Sequence, residues 1–303
     1  MADTKIEWTD KTWNPWWGCS KIAPECDHCY AATLASRGLH LAHFGVATNY
    51  DWTGKITRSL DTVWHSPLKW PAGTKVFTCS MSDFWHEDVP LPWLDEALDI
   101  IERTPHLTYQ VLTKRPGNVR RKLDHLKRRL PTNVWIGATA GHPDSLPVLK
   151  PLRRINATLR FLSVEPLLAP MVPGLDLDGI SWVICGGENQ GGGRRCKLKW
   201  MRAVRDLCIA EEVPFFLKQW GSWDNNPLYR AAEDEGFVTH ADRVRWAIRH
   251  GEKAAEIIED GKTGKMKIAG AKGGATLDGR LWRQFPVLPV PCRQRPSERR
   301  LQA

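Results

Sequence analysis

The chain has 303 residues, 42% hydrophobic and 25% charged, enough for one large domain or two ordinary ones, and that composition excludes a disordered or fibrous protein. Its net charge of +9, from 43 Lys and Arg against 34 Asp and Glu, favours anionic partners such as nucleic acid, with a solvated basic surface as the plain alternative. No run of ~18 apolar residues occurs and MADTKIEWTD has no apolar signal core, so the expectation is a cytoplasmic protein with no membrane contact.

The first element is a short strand near the N-terminus, followed by TWNPWWGCSKIAPECDHCYA (12–31), where Cys19, Cys26 and Cys29 fall within eleven residues. KVFTCS (75–80) reads as a strand, WLDEALDIIERT (93–104) as a helix and TYQVLT (108–113) as a strand. NVRRKLDHLKRRL (118–130) reads as a helix whose Val119, Leu123, Leu126 and Leu130 share one face. NVWIGAT (133–139), LRFLSV (159–164), ISWVIC (180–185) and VPFFLK (213–218) read as strands, and KWMRAVRDLCIAEE (199–212) as a helix. DSLPVLKPLRRI (144–155) is a helix weakened by two prolines.

Continuous Val/Ile/Phe-rich strands alternating with helices mean βα units and a parallel sheet. Six such strands plus one near the N-terminus suit an α/β fold with a full or partial parallel (β/α) barrel over 1–223, and no GxGxxG opens the first unit. The remainder, 224–303, is expected to be a C-terminal extension. It carries a helix around 243–260, then the Lys/Gly-rich GKTGKMKIAGAKGGA, expected to be mobile. The aromatic LDGRLWRQFP (277–286) is expected to pack back on the barrel, and the tail PCRQRPSERRLQA to be disordered.

In a barrel, function gathers at the C-terminal ends of the strands. Those ends read Ser80, Met81, Ser82, Asp83; Lys114, Arg115; Gly137, Thr139; Glu165; Gly186, Gly187, Glu188, Asn189; and Lys218, Gln219, Trp220. Polar groups after every apolar strand form a pattern of a pocket rim. The helix 118–130, with Arg120, Arg121, Lys122, Lys127, Arg128 and Arg129 opposed on it by Asp124, is read as a solvated barrel exterior, with phosphate contact as the alternative.

Eight cysteines in a reducing compartment argue for metal or catalytic use of some of them. Cys79, Cys185 and Cys208 have apolar neighbours and read as core, whereas Cys196 and Cys292 have polar neighbours and no partner at ligand spacing. Cys26 and Cys29 form one C-x2-C, with Cys19 upstream and no second pair. A zinc site completed by a remote His or Cys remains one reading. A four-iron cube held by three thiolates is the other, and it leaves one iron open to a substrate or cofactor.

With Tyr30 beside the last cysteine, this loop after the first strand resembles that of the radical SAM enzymes. More narrowly, TKIEWTDKTWNPWWGCSKIAPECDHCYA, SMSDFW, LTKRP, FLSVEPLL, WVICGGENQ, FFLKQWG and LDGRLWRQFP resemble the phage-type "three-Cys-motif" family, related in sequence to radical SAM proteins such as spore photoproduct lyase. The resemblance implies a radical SAM-type barrel in which Cys19, Cys26 and Cys29 hold a [4Fe–4S] cluster. It implies that S-adenosyl-L-methionine chelates the open iron, and that its reductive cleavage gives a 5′-deoxyadenosyl radical. Two departures stand out. The loop is C-x6-C-x2-C, not C-x3-C-x2-C, so KIAPE must bulge; and GGE (186–188) follows the sixth strand, not the second. The amino-group role is therefore given to the turn of Ser80, Ser82 and Asp83.

Lys114 is expected to meet a cofactor carboxylate or anionic substrate, Glu165 to hydrogen-bond within the pocket, to a ribose for example, and Glu188 and Asn189 to bind substrate or cofactor. The expected activity is a radical SAM-like enzyme acting on a nucleic-acid base or nucleotide in repair or modification. A peptide or small-molecule substrate is one alternative, and a non-enzymatic zinc-binding nucleic-acid module the other. Expected partners are nucleic acid through the basic surface, an external electron donor and a gene-neighbour protein.

Overall fold

The structure is a computed structural model that describes residues 4, 6–36, 54–189, 193–259 and 266–287. Its centre is a seven-stranded parallel sheet of β1 (Lys11–Trp13), β2 (Lys75–Thr78), β3 (Thr108–Thr113), β4 (Val134–Thr139), β5 (Leu159–Val164), β6 (Trp182–Gly186) and β7 (Phe215–Gln219). Spatial order equals chain order, so each crossover steps one strand further along in the same direction. Such a sheet curls as a half-barrel, open between β1 and β7, so the partial form of the expected barrel is the one adopted.

The strands read as uninterrupted apolar runs because both faces are buried. Alternate residues Val76, Tyr109, Val111, Val134, Ile136, Val183 and Phe215 face the outer helices, where Leu94, Ala97, Leu98 and Ile101 of the helix Leu91–Arg103 pack. The other set, Phe77, Trp135, Leu159, Phe161, Trp182, Ile184 and Phe216, lines the concave side with Trp8. Trp8 stands 4.7 Å from Phe77 and 6.2 Å from Trp182, both edge-on. This aromatic plug fills the N-terminal half of the interior. Six of the sixteen tryptophans, Trp13, Trp16, Trp64, Trp85, Trp182 and Trp220, are wholly buried.

Helix ends and surface assignments depart from the pattern-based reading in identifiable ways. The helix read over 118–130 runs Pro116–Leu126; Lys127 takes a left-handed conformation (φ 55°) and Arg128 N–H returns to Leu123 O, closing the last turn. Leu130 packs on the core from outside the helix. Lys122 is not part of a basic surface: it is buried, and its ammonium donates to the His86 and Val89 carbonyls at 2.6 and 3.0 Å. Arg128 is met by Asp95, Asp99 and Glu102 from the neighbouring helix, so its charge is cancelled there. Pro147 and Pro151 turn 143–153 into a 3-10 turn, Pro143–Val148, and a single α turn, Leu149–Arg153. Cys196 is buried despite its polar neighbours, which point outward around it.

The helix expected over 243–260 ends at Arg249. Ala255–Glu259 is a strand, paired antiparallel with Met266–Gly270, so part of the stretch expected to be mobile is a hairpin arm. Helical spacing in AAEIIED was outweighed by a partner strand eleven residues away. The segment 277–286 lies along β7: Leu217 N–H donates to Trp282 O at 2.9 Å, Trp182 Nε1 to Gln284 O at 2.9 Å, and the Phe285 ring is 5.5 Å from Trp182. The tail from 288, including Cys292, the loop 190–192 and residues 260–265 lie outside the described residues. No described helix is long and apolar enough to cross a membrane.

Candidate functional site

Behind β1 the chain makes a two-residue antiparallel ladder, Trp16–Trp17 with Thr57–Arg58, and then turns at Gly18. Gly18 has φ 100°, and a Cβ there would stand 1.9 Å from Lys55 O, so no other residue fits. Gly18 N–H donates to Met81 O, the Ser82 hydroxyl donates to Gly18 O at 2.6 Å, and Asn14 Oδ1 accepts from Met81 N–H at 2.9 Å. The Ser80 hydroxyl also bonds the Asn14 side chain, and the Tyr30 hydroxyl donates to Ser80 O. Asp83 accepts from Trp85 N–H, the Thr113 hydroxyl and Lys114 N–H at 2.7–2.9 Å. The turn expected to receive a cofactor amino group thus uses its three side chains to seat the cysteine loop on β2 and β3.

All three cysteines carry free thiols; Cys26 is buried, Cys19 and Cys29 partly so. Arg115 Nη1 donates to Cys19 Sγ at 3.6 Å and Nη2 to Ser20 O and Oγ at 3.0 and 2.8 Å, while its other edge pairs with Glu87 at 2.6 Å. Burial, with the Asp83 charge adding to it, pushes the Cys19 thiol up to about 11 against the opposing pull of Arg115. Further along, the buried Glu25 accepts from Gly141 N–H (2.6 Å), His142 N–H (3.0 Å) and the Ser145 hydroxyl (2.8 Å) beyond β4. His28 Nδ1 lies 2.9 Å from Glu188, which also takes Arg194 at 2.6 Å; Arg194 in turn donates to Pro24 O and Asp27. Burial alone would raise the Glu188 pKa, but the Arg194 and His28 hydrogen bonds hold it below the ordinary value. The loop is therefore tied to the ends of β2, β3, β4 and β6.

Thiolates sharing one zinc at about 2.3 Å must lie within ~4 Å of each other, whereas each thiolate on a cubane takes a different iron and stands further off. Among the described residues, the one trio of His, Cys, Asp or Glu ligand atoms meeting within 4.8 Å is His86, Glu87 and Asp88. Two of the trio's groups are engaged, His86 with Ser20 Oγ (2.9 Å) and Asp88 N–H (3.2 Å) and Glu87 with Arg115, while the Asp88 carboxylate is exposed. The three thiols do not all lie within 4.8 Å of one another and a guanidinium stands against one of them, a donor set that the separate irons of a cubane accommodate.

Above the aromatic plug, the concave face becomes polar. Glu165 takes Lys218 Nζ at 2.9 and 3.1 Å and Gln219 Nε2 at 3.2 Å. Thr139, in register with Ser163 on β5, is buried with its hydroxyl unpartnered. Lys114 joins Asp83 and Arg115 around Cys19. Asn189 is drawn away, to Lys272 of the C-terminal segment at 3.1 Å. Glu25, Asn14 and Arg194 were not legible as site residues: Glu25 lay inside a stretch read only as a bulge, and Arg194 beside a glycine loop that carries no period.

A family model described as "Protein of unknown function (DUF5131)" matches residues 3–286. No curated protein matches the chain. Among solved structures, a variant of spore photoproduct lyase with bound AdoMet and dinucleoside spore photoproduct is similar at 13% identity and TM-score 0.38, over 68% of this chain and 62% of that one. A second variant of the same lyase gives 14% identity and TM-score 0.38, over 61% and 57%. This chain spans less than two thirds of the length of either.

Proposed function

The chain belongs to the DUF5131 family, and we propose that it is a radical SAM-like enzyme holding a [4Fe–4S] cluster on Cys19, Cys26 and Cys29. The observation that carries this reading is three free thiols on one loop, laid across the C-terminal rim of a parallel half-barrel above a polar concave face. Bound there, the cluster and S-adenosyl-L-methionine supply a 5′-deoxyadenosyl radical by one-electron reductive cleavage.

The chain's own groups then have defined work. Arg115 orients Cys19 and offsets thiolate charge; Glu25 and Glu188 hold the half of the loop that carries Cys26 and Cys29. Lys114 places a cation at the rim for a carboxylate, and Glu165, set by Lys218, offers an acceptor to a ribose hydroxyl or a substrate N–H. The plug of Trp8, Phe161 and Trp182 keeps water from reaching a radical from below. A nucleic-acid base or nucleotide is the proposed substrate, supported by the net charge of +9.

Anaerobically reconstituted protein should be brown, bind roughly four irons per chain, and release 5′-deoxyadenosine under reducing conditions, with Cys26→Ala abolishing all three. A colourless preparation with one zinc would refute the proposal in favour of a zinc module. Oligonucleotide binding that is weak and indifferent to salt would remove the nucleic-acid substrate.

A further inference from the structure

The residues that widen the cysteine spacing do two things. Glu25 turns inward as a clamp, and Ile22 is left 49% exposed at the protein surface. Ile22 borders a shallow groove of about 410 Å³ between the cysteine loop, the start of the helix Pro116–Leu126 and the segment 147–151. The lining combines apolar Ile22, Pro147, Val148 and Pro151 with basic Lys114 and Arg115. Lys114 lines it directly, exposed Lys150 sits between Val148 and Pro151, and Arg121 is held by Asn118 of the wall at 3.0 Å. The one carboxylate in the lining, Glu87, is neutralised by Arg115.

Arg115 is also what connects this groove to the candidate metal centre. It lines the groove and its guanidinium touches Cys19 Sγ at 3.6 Å, so a molecule seated there is one side chain from a cluster thiolate. Glu165, Lys218 and Thr139 take no part in the lining, and the groove shares Lys114 with the rim.

We infer that this groove is the docking surface for an acidic, low-potential one-electron carrier protein. The inference rests on the cluster reading above. Apolar residues with cations beside them suit a small transient interface in which charge steers the encounter and the apolar contact sets the orientation. For a flavin carrier the step balances simply: the anionic hydroquinone gives up one electron and becomes the neutral semiquinone, with no proton transferred. The electron takes the cluster from its 2+ to its 1+ state, and the N5 proton stays on the flavin.

The test uses the full reconstituted chain and flavodoxin hydroquinone as the probe, with cluster reduction followed by loss of visible absorbance in a stopped-flow cell. Ile22→Asp, and separately Arg121→Glu with Lys150→Glu, should each slow reduction by flavodoxin about ten-fold or more. The charge reversal should also flatten its dependence on ionic strength. Affinity for oxidised flavodoxin, measured by flavin fluorescence, should fall in parallel. Iron content and the rate of reduction by dithionite, which needs no docking surface, should match the parent. Variants reduced by flavodoxin within two-fold of the parent overturn the inference. So does a parent that dithionite reduces and flavodoxin does not, or a loss that appears equally with dithionite. An oligonucleotide that occupies the groove and is released by the same charge reversal assigns the face to nucleic acid instead. A chain that binds no iron at all removes the proposed function, and this surface with it.

Discussion

Replacing Glu25 with Ala tests whether the cysteine loop is held by the barrel rim or merely lies on it. The substitution removes three acceptor contacts and leaves the Gly141 and His142 amides without a partner. A buried, unpaired amide costs ~1–3 kcal/mol. Gly141 is fully enclosed and should bear most of that range, while His142 keeps some access to water and should bear the low end. Relief of the cost of burying a carboxylate works the other way, and a net loss of ~3 kcal/mol follows. At ~2 °C per kcal/mol for a chain of this size, the metal-free protein should melt ~6 °C lower. Tryptophan fluorescence will report the transition, and Glu25→Gln, which keeps one acceptor oxygen, should lose about half as much. The released loop should also retain less iron after anaerobic reconstitution and desalting. A Glu25→Ala protein that melts within a degree of the parent and keeps its iron would show that the clamp is not formed.

Gly141→Ala should cost a similar amount, because its Cβ would stand 1.8 Å from the Pro166 carbonyl oxygen, a backbone atom that cannot step aside; a loss of ~2–3 kcal/mol should appear as a lower urea midpoint. Arg115→Met should make the cluster's midpoint potential more negative in a redox titration, since it removes a cation and an N–H donor from a thiolate that grows more electron-rich on reduction; Arg115→Lys should recover part of the shift. Asp278→Asn tests the tie between the C-terminal segment and the helix Leu198–Ala210. The Arg202 hydrogen bond, aided by Arg205, holds the Asp278 carboxyl below its ordinary value of 3.8, so its stabilisation is present above that pH and is lost as pH falls through the depressed pKa. The variant should therefore melt below the parent at pH 7, by the equivalent of ~0.5–1 kcal/mol after screening of this partly exposed pair, and the gap should close toward pH 3.

The β-sheet was legible in advance because its signal is local. Each of VFT, YQVLT, VWIGAT, FLSV, WVIC and FFL is a run long enough to cross the sheet and apolar enough to be buried on both sides. Polar residues following each run marked the rim for the same reason. The antiparallel pair Ala255–Glu259 and Met266–Gly270 was not legible, since EIIE satisfies helix and strand periods equally and only its partner decides. Nor could charge counts reveal that Lys122 is buried on two carbonyls or that Arg128 faces three carboxylates.

Three thiols at C-x6-C-x2-C and a barrel of βα units were written into the sequence by itself, because ligand identity and strand period are properties of a few consecutive residues. Tertiary structure alone decided which partners the rim groups have. It committed Ser80, Ser82 and Asp83 to hydrogen bonds within the scaffold, sent Asn189 to Lys272, and left Glu165 with Lys218 on the concave face. It also turned the six residues between Cys19 and Cys26 into a clamp at Glu25 and an exposed Ile22. A side chain's availability depends on partners more than a hundred positions away in the chain, as Glu25 and Gly141 are, and no local pattern encodes such a distance.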